Sequence, residues 1–238
     1  MPECEPSPLR VLITAGPTHE PVDRVRYLAN RSSGRMGIAL AERAVAREWP
    51  TTLLLGPTPL MPRESTFLGV DRFQSTDELD EALHRLWPAH DVLIMAAAVA
   101  DYRPVSSGAV EKLERRGERL TLELEPTPDL LASLASTTRP DQITVGFALE
   151  PADRLARSAA AKLQRKRVDA IVANPLETID SATISAQLVL RTGESLAAPP
   201  ELTKLAFADW LLDRIEELRS SEPLQRETRT DATRPESP

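Results

Sequence analysis

Five apolar runs, near residues 10–15, 51–55, 91–98, 143–148 and 170–173, alternate with stretches near 34–48, 76–87, 128–137 and 152–167 in which apolar side chains recur at helical spacing. The runs predict strands buried on both faces, and the periodic stretches predict helices that cover them. Repeated strand and helix in this order imply right-handed crossovers and a doubly wound, mostly parallel α/β sheet. Ligands of such sheets bind outside the carboxyl ends of the strands. The first, third and fourth runs end in Ala15-Gly16-Pro17, Ala97-Ala98-Val99-Ala100-Asp101 and Gly146-Phe147-Ala148, mostly small residues that leave room for a substrate in a shared crevice.

Two segments break the alternation. Leu120, Leu122 and Leu124 occupy every second position of 119–125, and 186–193 reads as a strand entering a turn, so a small antiparallel extension is expected beside the parallel core. Residues 56–70, with Pro57, Pro59 and Pro62, read as a loop. Ala208, Leu211, Leu212, Ile215 and Leu218 fall on one face of a C-terminal helix, with acidic residues opposite. The expected organisation is a flexible leader over 1–9, one domain over 10–218 and a disordered tail over 219–238, where too few apolar side chains remain to offset ordering entropy.

Charge and cysteine content narrow the functional classes. The 238 residues carry 29 Lys plus Arg against 36 Asp plus Glu, a formal net charge of −7. That balance argues against a general nucleic-acid binder or a protein held on acidic membranes, while leaving room for a local basic pocket. No run approaches the roughly 18–20 apolar residues of a membrane span, and the acidic, proline-rich start does not resemble a secretory signal, so a cytoplasmic protein is expected. Cys4 is the single cysteine, which leaves no disulfide within the chain and no cysteine-rich metal site. His19, His84 and His90 have no partner at ligand spacing and read as incidental.

The most informative segment runs from Ile13 to Met36, ITAGPTHEPVDRVRYLANRSSGRM. It reads as a strand, a loop suited to anions and a helix N-terminus. Ser32 and Ser33 could cap the helix, and Gly34 and Gly37 lack the Cβ atoms that would keep a ligand from the backbone N–H groups and the positive end of the helix dipole. A serine-capped helix whose glycines serve close packing fits the same spacing equally well.

Beyond this segment come Ala96-Ala97-Ala98-Val99-Ala100-Asp101-Tyr102-Arg103, Glu111-Lys112-Leu113, Pro126-Thr127-Pro128-Asp129-Leu130-Leu131, Val145-Gly146-Phe147-Ala148 and Asp169-Ala170-Ile171-Val172-Ala173-Asn174. Taken together, in this order and at these spacings over roughly residues 10–218, the motifs resemble the phosphopantothenoylcysteine synthetase family, the ligase step of coenzyme A synthesis. The resemblance implies a Rossmann-like sheet with an antiparallel dimerisation and flap extension. It further implies activation of 4'-phosphopantothenate by CTP, with ATP the less expected nucleotide, and condensation of the acyl-cytidylate with cysteine. Mg²⁺ as cofactor, a homodimer and a possible separate decarboxylase partner follow from the same resemblance.

Carried over position by position, the resemblance gives Asn30 and Lys112 the catalytic roles. Asn30 would hydrogen-bond the pantothenoyl carboxylate and its acyl-nucleotide, although a turn-forming asparagine would look the same. Lys112 would meet the phosphates from a flap segment, in which Glu114 stands at the usual place of a second lysine. Lys162 and Lys166 lie four apart on one predicted helical face and would clamp the polyphosphate, whereas an i, i+4 lysine pair taken alone is more often a solvated face. Ala96, Ala97, Ala98, Val99, Phe147, Pro128, Asp129, Leu130 and Leu131 would surround the nucleotide. Asp101 would help hold the nucleotide or its Mg²⁺, with a turn carboxylate as the plain alternative. Ser33, Gly34 and Gly37 would hold the substrate phosphate, and Asn174 would approach the same substrate from its own subunit or across a dimer interface.

Two other readings compete. An NAD(P)-dependent reductase would begin with a similar strand, turn and helix, but Gly-x-Gly-x-x-Gly is absent after the first strand, and Tyr27 and Tyr102 are followed four residues on by Arg31 and Ser106 where such reductases need lysine. A nucleotide-binding protein without turnover would keep the same pocket. Glu114 and the unusual segment 177–185 are the features that favour it.

Overall fold

The computed structural model describes residues 7–105, 111–114, 117, 119–151, 155–176 and 181–220. The leader before residue 7, the start of the helix predicted at 152, the segment 177–180 and the tail after 220 therefore lie outside the described residues.

The chain opens with β1 (Val11–Ala15) and a hairpin of β2 (His19–Pro21) and β3 (Tyr27–Ala29). It continues through α1 (Arg35–Ala46), β4 (Thr51–Leu55), β5 (Leu68–Arg72) and α2 (Thr76–Leu86). After β6 (Val92–Met95) comes a second hairpin, β7 (Tyr102–Pro104) with β8 (Leu124–Pro126), and then α3 (Leu130–Leu134) and β9 (Ile143–Glu150). The last part comprises α4 (Leu155–Lys166), β10 (Ala170–Pro175), β11 (Thr183–Ile184), β12 (Gln187–Leu190), β13 (Ser195–Ala197), β14 (Leu202–Thr203) and α5 (Lys204–Ser220).

One eight-stranded sheet carries the fold in the order β13-β12-β10-β9-β6-β1-β4-β5. The six strands from β10 to β5 are parallel, and β12 and β13 are added antiparallel at one edge. The expected doubly wound sheet with an antiparallel extension is therefore present.

Alternation of side chains along each strand divides the core in two. Val11, Ile13, Val92, Ile94, Ala170 and Val172 face α1 and α5. Their sequence neighbours Leu12, Leu93, Met95, Ile171 and Ala173 face the layer of α2, α3 and α4. Burial on both faces is why these strands read as continuous apolar runs. Phe207, Ala208, Leu211, Leu212 and Ile215 seat α5 beside α1, and Arg43–Asp209 and Arg47–Asp213 pairs, each 2.6 Å apart, tie the two helices at their rim. Leu9, ahead of β1, is buried in the same core.

The structure corrects several local expectations. Residues 56–70 are not all loop, because β5 starts at Leu68 and pairs parallel to β4. As an edge strand it alternates half-buried Leu68 and Val70 with exposed Gly69, so no apolar run announced it. Only Leu124 and Glu125 of the leucine-alternating segment lie in a strand, and Leu120, Leu122 and Leu124 are all exposed. Their period of two does not mark a face buried within this subunit. Pro128 precedes α3 rather than opening it: Asp129 is the N-cap, its carboxylate accepting from the Ala132 N–H.

Candidate active site

The parallel strands reverse their order of addition between β1 and β6. From β1 the chain builds outward to β4 and β5, then returns to lay β6, β9 and β10 on the other side. Such a switch leaves a crevice beyond the strand ends, because the connections on either side run in opposite directions. A cleft of about 860 Å³ occupies that place.

One wall is the turn into α1. Gly34 is the N-cap, with φ of 75°, a left-handed conformation that glycine adopts without steric cost. No side chain caps this helix, so the expected serine cap is corrected: the Ser32 hydroxyl accepts from the Gly34 N–H, and the Ser33 carbonyl accepts from the Thr58 hydroxyl. The first-turn N–H groups of α1 are thereby left facing the cleft without a side-chain acceptor. A Cβ on Gly37 would stand 2.5 Å from the Ala15 Cβ, so glycine lets α1 lie directly against β1. The close-packing role of the glycines and their suitability for an anion coexist here.

The second wall is the chain leaving β6. Threonines of β1 and the following loop hold it, the Thr14 hydroxyl accepting from the Ala97 N–H at 3.0 Å and the Thr18 hydroxyl from the Ala100 N–H at 2.9 Å. The Asn30 side-chain amide donates to the Val99 carbonyl at 2.8 Å, joining the two walls. Thr127 donates to the Ala100 carbonyl and fastens the approach to α3.

The third wall is α4. Lys162 and Lys166 are half-buried and both line the cleft, as i, i+4 spacing requires, yet neither ammonium stands alone. Lys162 Nζ lies 2.6 Å from Glu150 Oε1, and Lys166 Nζ lies 2.7 Å from Asp129 Oδ1. Each half-buried lysine charge is compensated by a carboxylate in this way.

Of the residues singled out by the sequence, Asn30, Ser33, Gly34, Gly37, Ala96, Ala97, Ala98, Val99, Asp101, Pro128, Asp129, Leu130, Leu131, Phe147, Lys162, Lys166 and Asn174 all line this cleft. Lys112 is not among these lining residues. It is exposed, and the adjoining Leu113 backbone is held at the β2–β3 turn by Asp23 and Arg26. Sequence reasoning missed Arg165 and Lys204, which also line the cleft. Arg165 stands beside Lys166 and could have been read with it, whereas the position of Lys204 depends on how α5 docks. Arg31, Arg35, Lys162, Arg165, Lys166 and Lys204 against Asp101 and Asp129 make the lining strongly basic in a chain whose net charge is −7. An anionic ligand matches that concentration of charge.

No group of three or more His, Cys, Asp or Glu that could hold a metal occurs among the described residues. The histidines serve structure: His90 bonds the Leu86 carbonyl and the Thr52 hydroxyl, its pKa lowered by burial, and His19 stacks on Tyr27 with centroids 3.6 Å apart. No helix among the described residues is long and apolar enough to cross a membrane.

The family model for the DNA/pantothenate metabolism flavoprotein C-terminal domain matches residues 7–218. The chain belongs to this family, the phosphopantothenoylcysteine synthetase domain family. Among relatives of this synthetase family, the coenzyme A biosynthesis bifunctional protein CoaBC of Vibrio cholerae serotype O1 is 44% identical over 169 residues, 69% of this chain and 41% of the relative. A cysteine/cysteine sulfinic acid decarboxylase of an unknown prokaryotic organism is 43% identical over 168 residues, 71% of this chain and 46% of that protein. The chain thus spans less than half the length of these two curated relatives. A crystal structure of the C-terminal domain of a coenzyme A biosynthesis bifunctional protein CoaBC superimposes with a TM-score of 0.74 at 35% identity, covering 88% of this chain and 95% of that one.

Proposed function

We propose that this synthetase-family chain is a ligase of coenzyme A biosynthesis that joins 4'-phosphopantothenate to cysteine with CTP as the activating nucleotide. The carrying observation is that one basic cleft faces both the bare N-terminus of α1 and the Lys162–Lys166 face of α4. Two anionic compounds can therefore lie end to end. The substrate phosphate would sit on Ser33, Gly34 and Gly37, with its carboxylate near Asn30 and Asn174. The triphosphate would lie toward Lys162 and Lys166, its base among Phe147, Pro128, Asp129, Leu130 and Leu131.

In that arrangement the carboxylate oxygen attacks the innermost phosphorus of CTP and pyrophosphate leaves with the bridging electron pair. The amine of cysteine then attacks the acyl carbon, the amide forms, and CMP departs. Holding both reactants in one crevice supplies orientation, and the surrounding cations and N–H groups stabilise the charge that develops. Mg²⁺ fits a site with few protein carboxylates because it keeps several waters and binds mainly through phosphates; Asp101, exposed on the cleft wall, would be its protein ligand. The ion would neutralise phosphate charge.

Val25, Tyr27, Tyr102, Val105, Leu120 and Leu124 form exposed apolar surface on or beside the two hairpins. Their exposure supports a homodimer built through this extension.

The test is pyrophosphate release by purified protein given phosphopantothenate, cysteine and Mg²⁺, with CTP or ATP. Release dependent on CTP is expected. Release with ATP alone corrects the nucleotide, and release with neither refutes the ligase.

A further inference from the structure

Two hairpin-turn residues hold the segment that bears Lys112. Asp23 is buried at the turn between β2 and β3, and its two carboxylate oxygens bond different segments. Oδ1 accepts from the N–H groups of Val25 and Arg26, each at 2.8 Å, which closes the turn. Oδ2 accepts from the N–H of Leu113, ninety residues away in sequence, at 2.9 Å. The Leu113 carbonyl in turn accepts from the Arg26 guanidinium at 2.6 Å, and the same guanidinium stands 2.7 Å from Asp23 Oδ2. Both backbone polar groups of Leu113 are thus engaged by one charged pair, and Lys112 is the residue before it. The Arg24–Glu111 pair, 3.4 Å apart and largely exposed, adds little.

We propose that Asp23 positions Lys112 for the nucleotide step by pinning the Leu113 backbone to the β2–β3 turn. The inference rests on the ligase reading above, and adds to it a residue that reaches no ligand itself. A turn carboxylate needs only the local N–H groups, so the bond to Leu113 is the part that turn formation does not require. The Asp23 carboxyl is held down to about 2, chiefly by the Leu113 N–H, so the carboxylate is ionised throughout the neutral range. Because the hairpin leads directly into Asn30, this bond ties the segment carrying Lys112 to the α1 end of the cleft.

Asp23→Asn separates the two functions of this side chain. One amide oxygen can serve the turn or Leu113, and the NH₂ group must then confront N–H donors on the other side. Three readings on the full chain test the proposal: amide exchange at Leu113, steady-state pyrophosphate release with CTP, and the same release in a Lys112→Ala background.

Asp23→Asn is expected to speed Leu113 exchange at least tenfold while β1 and β6 amides stay protected. It should lower kcat at least tenfold with the phosphopantothenate KM within about twofold, and should add less than twofold to the loss caused by Lys112→Ala, since residues acting through one another are not additive. If Asp23→Asn does not fold, Leu113→Pro deletes the same donor from the other side and must give the same loss. Unchanged Leu113 exchange, an unchanged kcat, or multiplicative losses in the double variant overturns the positioning role. An inactive wild type instead overturns the ligase reading, so the two failures are distinguishable.

Discussion

Lys166 Nζ and Asp129 Oδ1 stand 2.7 Å apart, and the same Asp129 caps α3 by accepting from the Ala132 N–H. One carboxylate thereby joins the helix that carries the lysine pair to the loop expected to meet the base. Asp129→Ala removes both contacts and should destabilise the protein by about 1 kcal/mol through the lost cap. Asp129→Asn keeps an acceptor at the cap and should cost a few tenths. Equilibrium denaturant unfolding of the two variants measures the difference, and equal losses would mean the cap contributes nothing.

Lys162 and Lys166 are expected to act on nucleotide affinity rather than on phosphopantothenate affinity, since α4 forms the wall opposite α1. Lys162→Ala and Lys166→Ala should each raise the CTP KM by about tenfold, the worth of one charge-assisted contact, and leave the phosphopantothenate KM within twofold. Initial rates over both substrates decide this. A rise confined to phosphopantothenate would reverse the assigned orientation.

Asn30 is exposed and its amide bonds the Val99 carbonyl, so its removal should cost stability by no more than about 1 kcal/mol. Turnover should fall far more. Asn30→Ala is expected to lower kcat for pyrophosphate release at least a hundredfold, the scale of losing one oriented donor. Near-normal turnover with a normal unfolding midpoint would remove Asn30 from the chemistry.

Gly37→Ala tests the packing of α1. The added methyl would press on the Ala15 Cβ and the Thr14 carbonyl, neither of which can swing aside. Overpacking of this kind costs about 1–3 kcal/mol. Thermal unfolding is the measurement, and an unaltered midpoint would show that α1 can shift without cost.

The Asp23 carboxyl, lowered from 3.8 to about 2, makes a directional prediction. A carboxyl depressed on folding contributes stability that is complete above its unfolded pKa and is lost as pH falls through its folded one. The stability difference between wild type and Asp23→Asn should therefore be constant from neutral pH down to about 4 and shrink toward pH 2. A difference that instead vanished between pH 8 and 5 would assign it to another group.

The sequence alone determined the central sheet, because strands buried on both faces must be apolar at every position and leave an unmistakable run in Val11–Ala15, Val92–Met95 and Ala170–Ala173. All the site residues it singled out except Lys112 line the cleft, since they lie in contiguous motifs at strand ends and on one face of α4. Tertiary structure decided what depends on contacts between distant segments. The edge strand β5 shows no apolar run because one side of it has no neighbour. The Lys162–Glu150 and Lys166–Asp129 pairs, the arrival of Lys204 at the cleft, and the anchoring of Leu113 by Asp23 join residues that no local spacing relates. Periodicity reports which face of an element is covered, and only the folded chain shows by what.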